Sequence, residues 1–179
     1  MSPPEVDSPK DVADGTVMGA KHAAIRKLEH ELGIQPGELP IDKFKFLTRL
    51  HYWAADTVTH GTDSPWGEHE IDYVLFVCVK SKNDITLKPH PDEVDDVCWV
   101  TKEKLLEMMA DKTLLFSPWF RLIVKKWLLN GWWQNLKETM TTDKFCDFVN
   151  IHEFDPPKEH LGGGAKAGPL FEDIQGDSR

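Results

Sequence analysis

Glu68 and Glu70 stand two residues apart in the stretch Trp66-Gly67-Glu68-His69-Glu70-Ile71-Asp72-Tyr73, directly before the apolar run Val74 to Val79. Side chains of a strand alternate between its faces, so both carboxylates point one way, ~6–7 Å apart, while His69 and Ile71 point the other. Two carboxylates on one face beside an apolar run cost free energy unless something compensates them. A divalent cation or a shared proton does this most often. On spacing alone, an exposed acidic strand start is the other reading.

The elements that must position this pair can be read from periodicity. Pro65-Trp66-Gly67 and Ser81-Lys82-Asn83-Asp84 bound the strand that carries it, and Val74 to Val79 continue that strand with β-branched and aromatic residues. Phe44 to Trp53 alternates as a second strand, with Phe46, Thr48, Leu50 and Tyr52 on one face. Upstream, Ala20, Ala24, Ile25, Leu28 and Leu32 recur at three- and four-residue spacing, which predicts an amphipathic helix over 20–32 stopped by Gly33. Residues 35–40 form a loop and 54–65 a connection. Ile85-Thr86-Leu87 reads as a strand fragment and Val94 to Val100 as a further strand. Thr101 caps a helix over 102–110, without a capping box because Lys104 occupies the third position. Ser117 as N-cap and Pro118 at the first position open a long helix over 119–133, whose stripe is Trp119, Phe120, Leu122, Ile123, Trp127 and Leu128. Residues 1–19 read as a loop or mobile lead, 20–154 as the folded domain, and 155–179, with Pro156-Pro157 and Gly162-Gly163-Gly164, as a disordered tail. Strands interleaved with helices make the fold class α/β or α+β.

The chain's 179 residues amount to one domain, with 40% hydrophobic and 28% charged residues. A net charge of −9 argues against nonspecific nucleic-acid binding, while leaving room for a local basic pocket. No apolar run approaches the ~18 residues of a membrane span, and the polar start Met1-Ser2-Pro3-Pro4 has no signal-peptide core. Cys78, Cys98 and Cys146 are odd in number, and Cys78 and Cys98 sit in apolar runs. Buried free thiols in a reducing, cytoplasmic setting are therefore expected.

The first helix ends Arg26-Lys27-Leu28-Glu29-His30-Glu31-Leu32-Gly33-Ile34, which is similar to the second half of a Nudix box. Arg26, Leu28, Glu31, Gly33 and Ile34 match that pattern. Lys27 and His30 replace two of its glutamates, and Val12 and Met18 stand where its first half has Gly and Glu. A Nudix pyrophosphohydrolase needs several carboxylates on this helix to hold Mg²⁺, and one is in place. The order of A-A-I-R-K-L-E-H-E-L-G-I, R-L-H-Y, W-G-E-H-E-I-D-Y and F-S-P-W-F is more specific. Over about 19–154 the chain closely resembles type I isopentenyl-diphosphate Δ-isomerase, a Nudix-fold family, and most of all its eukaryotic and fungal members.

That resemblance implies a Nudix-type α/β/α sandwich with a mixed sheet. It implies isomerisation of isopentenyl diphosphate to dimethylallyl diphosphate in isoprenoid and sterol supply, by protonation and deprotonation through a carbocation-like intermediate. The second Glu of G-E-x-E, Glu70, becomes the catalytic acid and a metal ligand; Glu68 becomes a metal ligand. Tyr52 of R-L-H-Y lies beside the acid as a proton relay. Trp119 of S-P-W faces the cation with an indole. Glu31 holds a second Mg²⁺ (or Mn²⁺) on the diphosphate, and Lys27 stands at a diphosphate-binding position. Without the resemblance, Glu31 is a solvated helix residue or a ligand at even odds, Tyr52 a packing residue, Trp119 a core residue, and His51 and His69 strand-surface residues. The partner implied is a small diphosphate, without nucleic acid or membrane, bound by a monomer.

The family's base, a cysteine in a segment near T-N-x-C-C-x-H-P, has no counterpart here. Neither do its three metal-binding histidines; the first histidine of the chain is His22. The expectation is a chain that corresponds to the C-terminal part of a longer enzyme, lacking N-terminal strands, marginally folded and catalytically inactive. The rival readings are a non-catalytic remnant serving as a binding module, and a Nudix pyrophosphohydrolase.

Overall fold

A computed structural model describes residues 17–56, 60–61 and 65–153. Its helices are α1 (Val17–Leu32), α2 (Lys102–Ala110), α3 (Pro118–Ile123) and α4 (Leu136–Thr141), and its strands are β1 (Lys45–Ala55), β2 (Gly67–Phe76) and β3 (Ile151–Glu153). Two compact units divide the chain, the first from residues up to 48 with 73–98 and the second from 49–72 with 99 onward.

The strands form one sheet in the order β2-β1-β3. β1 and β3 run parallel, with Arg49 opposite Ile151 and His51 opposite Glu153. Contacts of Phe46 with Tyr73, His51 with His69, and Asp56 with Trp66 progress in opposite senses along β1 and β2, so that pair is antiparallel. The sheet is therefore mixed, as expected for an α/β fold. β1 buries Phe46, Thr48, Leu50, Tyr52 and Ala54, the face that alternation predicts. Gly67, the first residue of β2, approaches β1 so closely that a Cβ there would run into the Ala54 carbonyl oxygen. β3 is held by a turn: Asp147 Oδ1 accepts from the N–H groups of Val149 (3.1 Å) and Asn150 (2.9 Å), and Arg49 Nη2 donates to the Phe148 carbonyl at 2.7 Å.

In the first unit, α1 starts at Val17, three residues inside the predicted 1–19 lead; residues 1–16 and the predicted 155–179 tail lie outside the described residues. Gly33 takes φ +67° and donates to the Glu29 carbonyl at 3.0 Å, the predicted glycine stop. Ile34, Leu39 and Phe44 form the buried centre, against which Ile25, Leu28 and Leu32 of α1 pack. Two expected strands do not form. Ile85 and Leu87 pack into this core instead, and the backbone beyond them bonds to the end of α1, Lys88 N–H to the Leu32 carbonyl and His90 N–H to the Glu31 carbonyl, both 2.8 Å. Val94 to Val100 is irregular; there the Asp96 side chain accepts from Val97 N–H at 2.7 Å. The β2 strand also ends at Phe76 rather than Val79. Cys78 and Cys98 are exposed, correcting the expectation of burial.

In the second unit, Thr101 caps α2 as predicted, its hydroxyl accepting from Lys104 N–H at 3.2 Å. Leu105 and Met109 of α2 bury against Val124 and Leu129. The predicted long helix is α3 followed by a π-helical segment, Val124–Trp132. Ser117 stands at its N-cap position but makes no side-chain capping bond. The i→i+5 register brings residues five apart together, and Trp127 stacks on Trp132 with centroids 5.6 Å apart and 5° between planes. α4 and β3 have no counterpart in the sequence reading.

Candidate active site

β2 alternates in exposure as the spacing requires. Glu68, Glu70 and Asp72 are half-buried, whereas His69, Ile71 and Tyr73 are exposed. The inward face of β2 is thus a row of three carboxylates, and Tyr52 of β1 faces their field with only 2% of its surface exposed.

Electrostatics ties these four together. Burial pushes the Tyr52 phenol up, and the charges of Glu68, Asp72 and Glu70 push it further. The phenol therefore stays protonated across the physiological range and remains a donor. Burial also raises Asp72 to about 7, with the charge of Glu70, a hydrogen bond to Glu70 and the charge of Glu68 adding to it. Glu68 is raised by burial, then by Glu70 and Asp56. One Asp72 oxygen, Oδ2, is buried without a hydrogen-bond partner. The face thus holds more negative charge than its surroundings neutralise. Protons or a cation relieve it.

A hard divalent cation matches this donor set, since Mg²⁺ and its relatives take carboxylate oxygens. The orphaned Asp72 oxygen and the raised carboxylates fit such an ion. The fit is partial: among the described residues, no group of three or more His, Cys, Asp or Glu converges as a complete cage. Asp72 is the member that spacing arguments passed over. It stands at i+4 from Glu68 on the same strand face, so the period-2 rule that singled out Glu68 and Glu70 reaches it too.

The remaining candidates lie elsewhere. Trp119, in α3 of the second unit, is half-buried and meets Phe120 edge to face, centroids 5.8 Å apart and planes at 82°. Glu31 and Lys27 belong to α1 of the first unit, where Lys27 Nζ pairs with Glu31 Oε1 at 3.1 Å, both side chains at least a third exposed. Each is the other's partner at i, i+4, a spacing the helix dictates.

Comparison with known proteins gives this arrangement its class. Residues 3–120 match the NUDIX domain, and the chain belongs to that family. Within it, the chain is similar to proteins named isopentenyl-diphosphate delta-isomerase. The relative from Candida albicans is 47% identical over 144 residues, covering 79% of this chain and 48% of that protein. The Schizosaccharomyces pombe relative is 48% identical over 136 residues, covering 76% and 53%. Isopentenyl-diphosphate Delta-isomerase 1 of Bos taurus is 38% identical over 150 residues, covering 82% and 60%. The chain spans about half the length of the curated relatives it matches. No described helix is long and apolar enough to cross a membrane.

Proposed function

We propose that this chain carries the acid half of an isopentenyl-diphosphate Δ-isomerase site, which interconverts isopentenyl and dimethylallyl diphosphate. The observation that carries the reading is the row Glu68-Glu70-Asp72 set against buried Tyr52, in a chain nearly half identical to isomerases from two fungi. The reaction adds a proton at the terminal alkene carbon, generating tertiary cation character, and removes one from the carbon on the other side. Glu70 supplies the first proton. Tyr52, buried in the field of these carboxylates, relays that proton. Glu68 and Asp72 stand beside the acid on the same strand face. The indole of Trp119 faces the developing cation.

Glu68 and Glu70 are the residues that would hold Mg²⁺ or Mn²⁺; Glu31 would hold a second such ion on the diphosphate, which Lys27 would meet. A bound divalent ion supplies charge neutralisation for the carboxylates and the diphosphate. The cytoplasm is the proposed setting, with the enzyme acting as a monomer.

Proton removal has no assigned group in these 179 residues. Cys78 and Cys98 are exposed in loops, and Cys146 donates weakly to Asp143 Oδ1 at 3.8 Å. We therefore propose that this chain by itself does not turn over. The experiment is an assay of the purified chain with labelled isopentenyl diphosphate and Mg²⁺. Turnover above background would overturn the missing-base reading. Substrate and Mg²⁺ binding lost in Glu70→Gln would uphold the site, and binding indifferent to Glu68 and Glu70 would sink it. A pyrophosphohydrolase reading is weaker because Lys27 and His30 occupy its glutamate positions; His30 stacks on His90, centroids 5.4 Å apart.

A further inference from the structure

The opposite face of the same two strands holds a second cluster. His51 of β1 and His69 of β2 bring their Nε2 atoms to 2.8 Å. The ring centroids are 5.0 Å apart with 36° between planes. That separation is close to the N···N distance plus two ring radii, so the imidazoles meet tip to tip. Such a bond needs one protonated and one bare Nε2. Alternation sets His69 on the exposed face of β2, away from Glu68 and Glu70. A cleft of about 440 Å³, lined in part by His51, Trp53, Pro65, Trp66 and His69, opens onto the pair.

We propose that His51 and His69 form a two-histidine site for a borderline divalent transition metal such as zinc or nickel, separate from the carboxylate face. Imidazole nitrogen suits these ions, whereas Mg²⁺ prefers oxygen, so the two faces of β2 differ in the metal they select. Two metal–nitrogen bonds of about 2.0–2.1 Å hold the nitrogens roughly 2.8–3.0 Å apart at an octahedral centre and roughly 3.3–3.4 Å apart at a tetrahedral one. The pair therefore opens by only a few tenths of an ångström and tilts, which exposed rings on paired strands can do. On binding, the ion takes the place of the Nε2 proton, which moves to Nδ1 of the same ring, so neutral imidazoles lose no net proton. Among the described residues there is no group of three or more ligands; the protein supplies two, and water from the cleft completes the shell.

The test is calorimetric titration of the full chain with nickel chloride. One saturable site is expected, weakened about tenfold or more in His51→Gln and in His69→Gln. His90→Gln should bind as wild type, because the His30–His90 rings are stacked rather than convergent, and so should Glu70→Gln. Should a variant misfold, zinc-induced shifts of the ring ¹⁵N resonances of His51 and His69 in the wild-type chain give the same answer. No binding by the wild-type chain, undiminished binding in both histidine variants, loss only in Glu70→Gln, or unmoved His51 and His69 resonances would each overturn the site. Loss in Glu70→Gln alone would leave the carboxylate reading standing.

Discussion

Asp72 holds its proton to about pH 7 because burial and Glu70 both oppose its charge. The folded chain thus retains a proton that the unfolded chain releases at an ordinary carboxylate pKa. Stability from this group is complete below that ordinary value and is lost as pH rises through about 7. Asp72→Asn removes the penalty. At pH 8 and without divalent metal, it should melt higher by about 2–4 °C, an effect of roughly 1 kcal/mol once the partial solvent exposure is discounted. The gain should shrink towards pH 4. A melting profile with the gain at low pH and none at pH 8 would contradict the assignment. Added Mg²⁺ at pH 8 should raise the wild-type melting temperature, and Glu68→Gln or Glu70→Gln should blunt that rise. An equal rise in all three proteins would remove these carboxylates from the metal site.

Gly33 governs how α1 joins the segment that follows it. Gly33 ends α1 at φ +67°, and a Cβ there would lie 2.7 Å from both the Cβ and the carbonyl oxygen of Lys88. Gly33→Ala should cost about 1–2 kcal/mol from the left-handed backbone alone, and more from the clash, readable as a shifted urea midpoint. In the second unit, Leu105 is 5% exposed and packs with Met109, Val124 and Leu129. Leu105→Ala should cost about 2–5 kcal/mol, measured the same way; a loss under 0.5 kcal/mol would mean this cluster is not a packed core. The elements that sequence periodicity located, α1, β1, β2 and α2, are long or capped, so their pattern repeats enough to be read. The segments it misassigned are short. Ile85-Thr86-Leu87 alternates as a strand does, but Thr86 N–H donates to Glu38 Oε1 at 2.9 Å, and the amides of Lys88 and His90 just beyond are claimed by the end of α1. Val94 to Val100 has a competing acceptor in Asp96 beside its own amides. The π-helical register of 124–132 leaves an apolar stripe much like that of an α-helix, which is why Trp119 to Trp133 read as one helix.

At the scale of the molecule, the chain belongs to the NUDIX family and spans about half the length of the isomerases it matches. If the base is absent, the isolated chain should fall short of a whole relative by at least the ~10²–10⁴-fold that a general base contributes, measured as conversion of labelled isopentenyl diphosphate. Turnover comparable to a whole relative would show that one of its own residues performs the deprotonation.

Sequence alone determined the face on which Glu68 and Glu70 lie, the buried face of β1 that carries Tyr52, and the glycine that stops α1. Each follows from a local period or a backbone angle, which neighbouring residues set by themselves. The family resemblance implies the roles proposed for them. Tertiary structure alone decided that Asp72 is desolvated with one oxygen orphaned, that Cys78 and Cys98 are exposed, and that His51 and His69 meet across the strands. Those facts depend on which distant residues share a desolvated space, and no spacing within a single element encodes that.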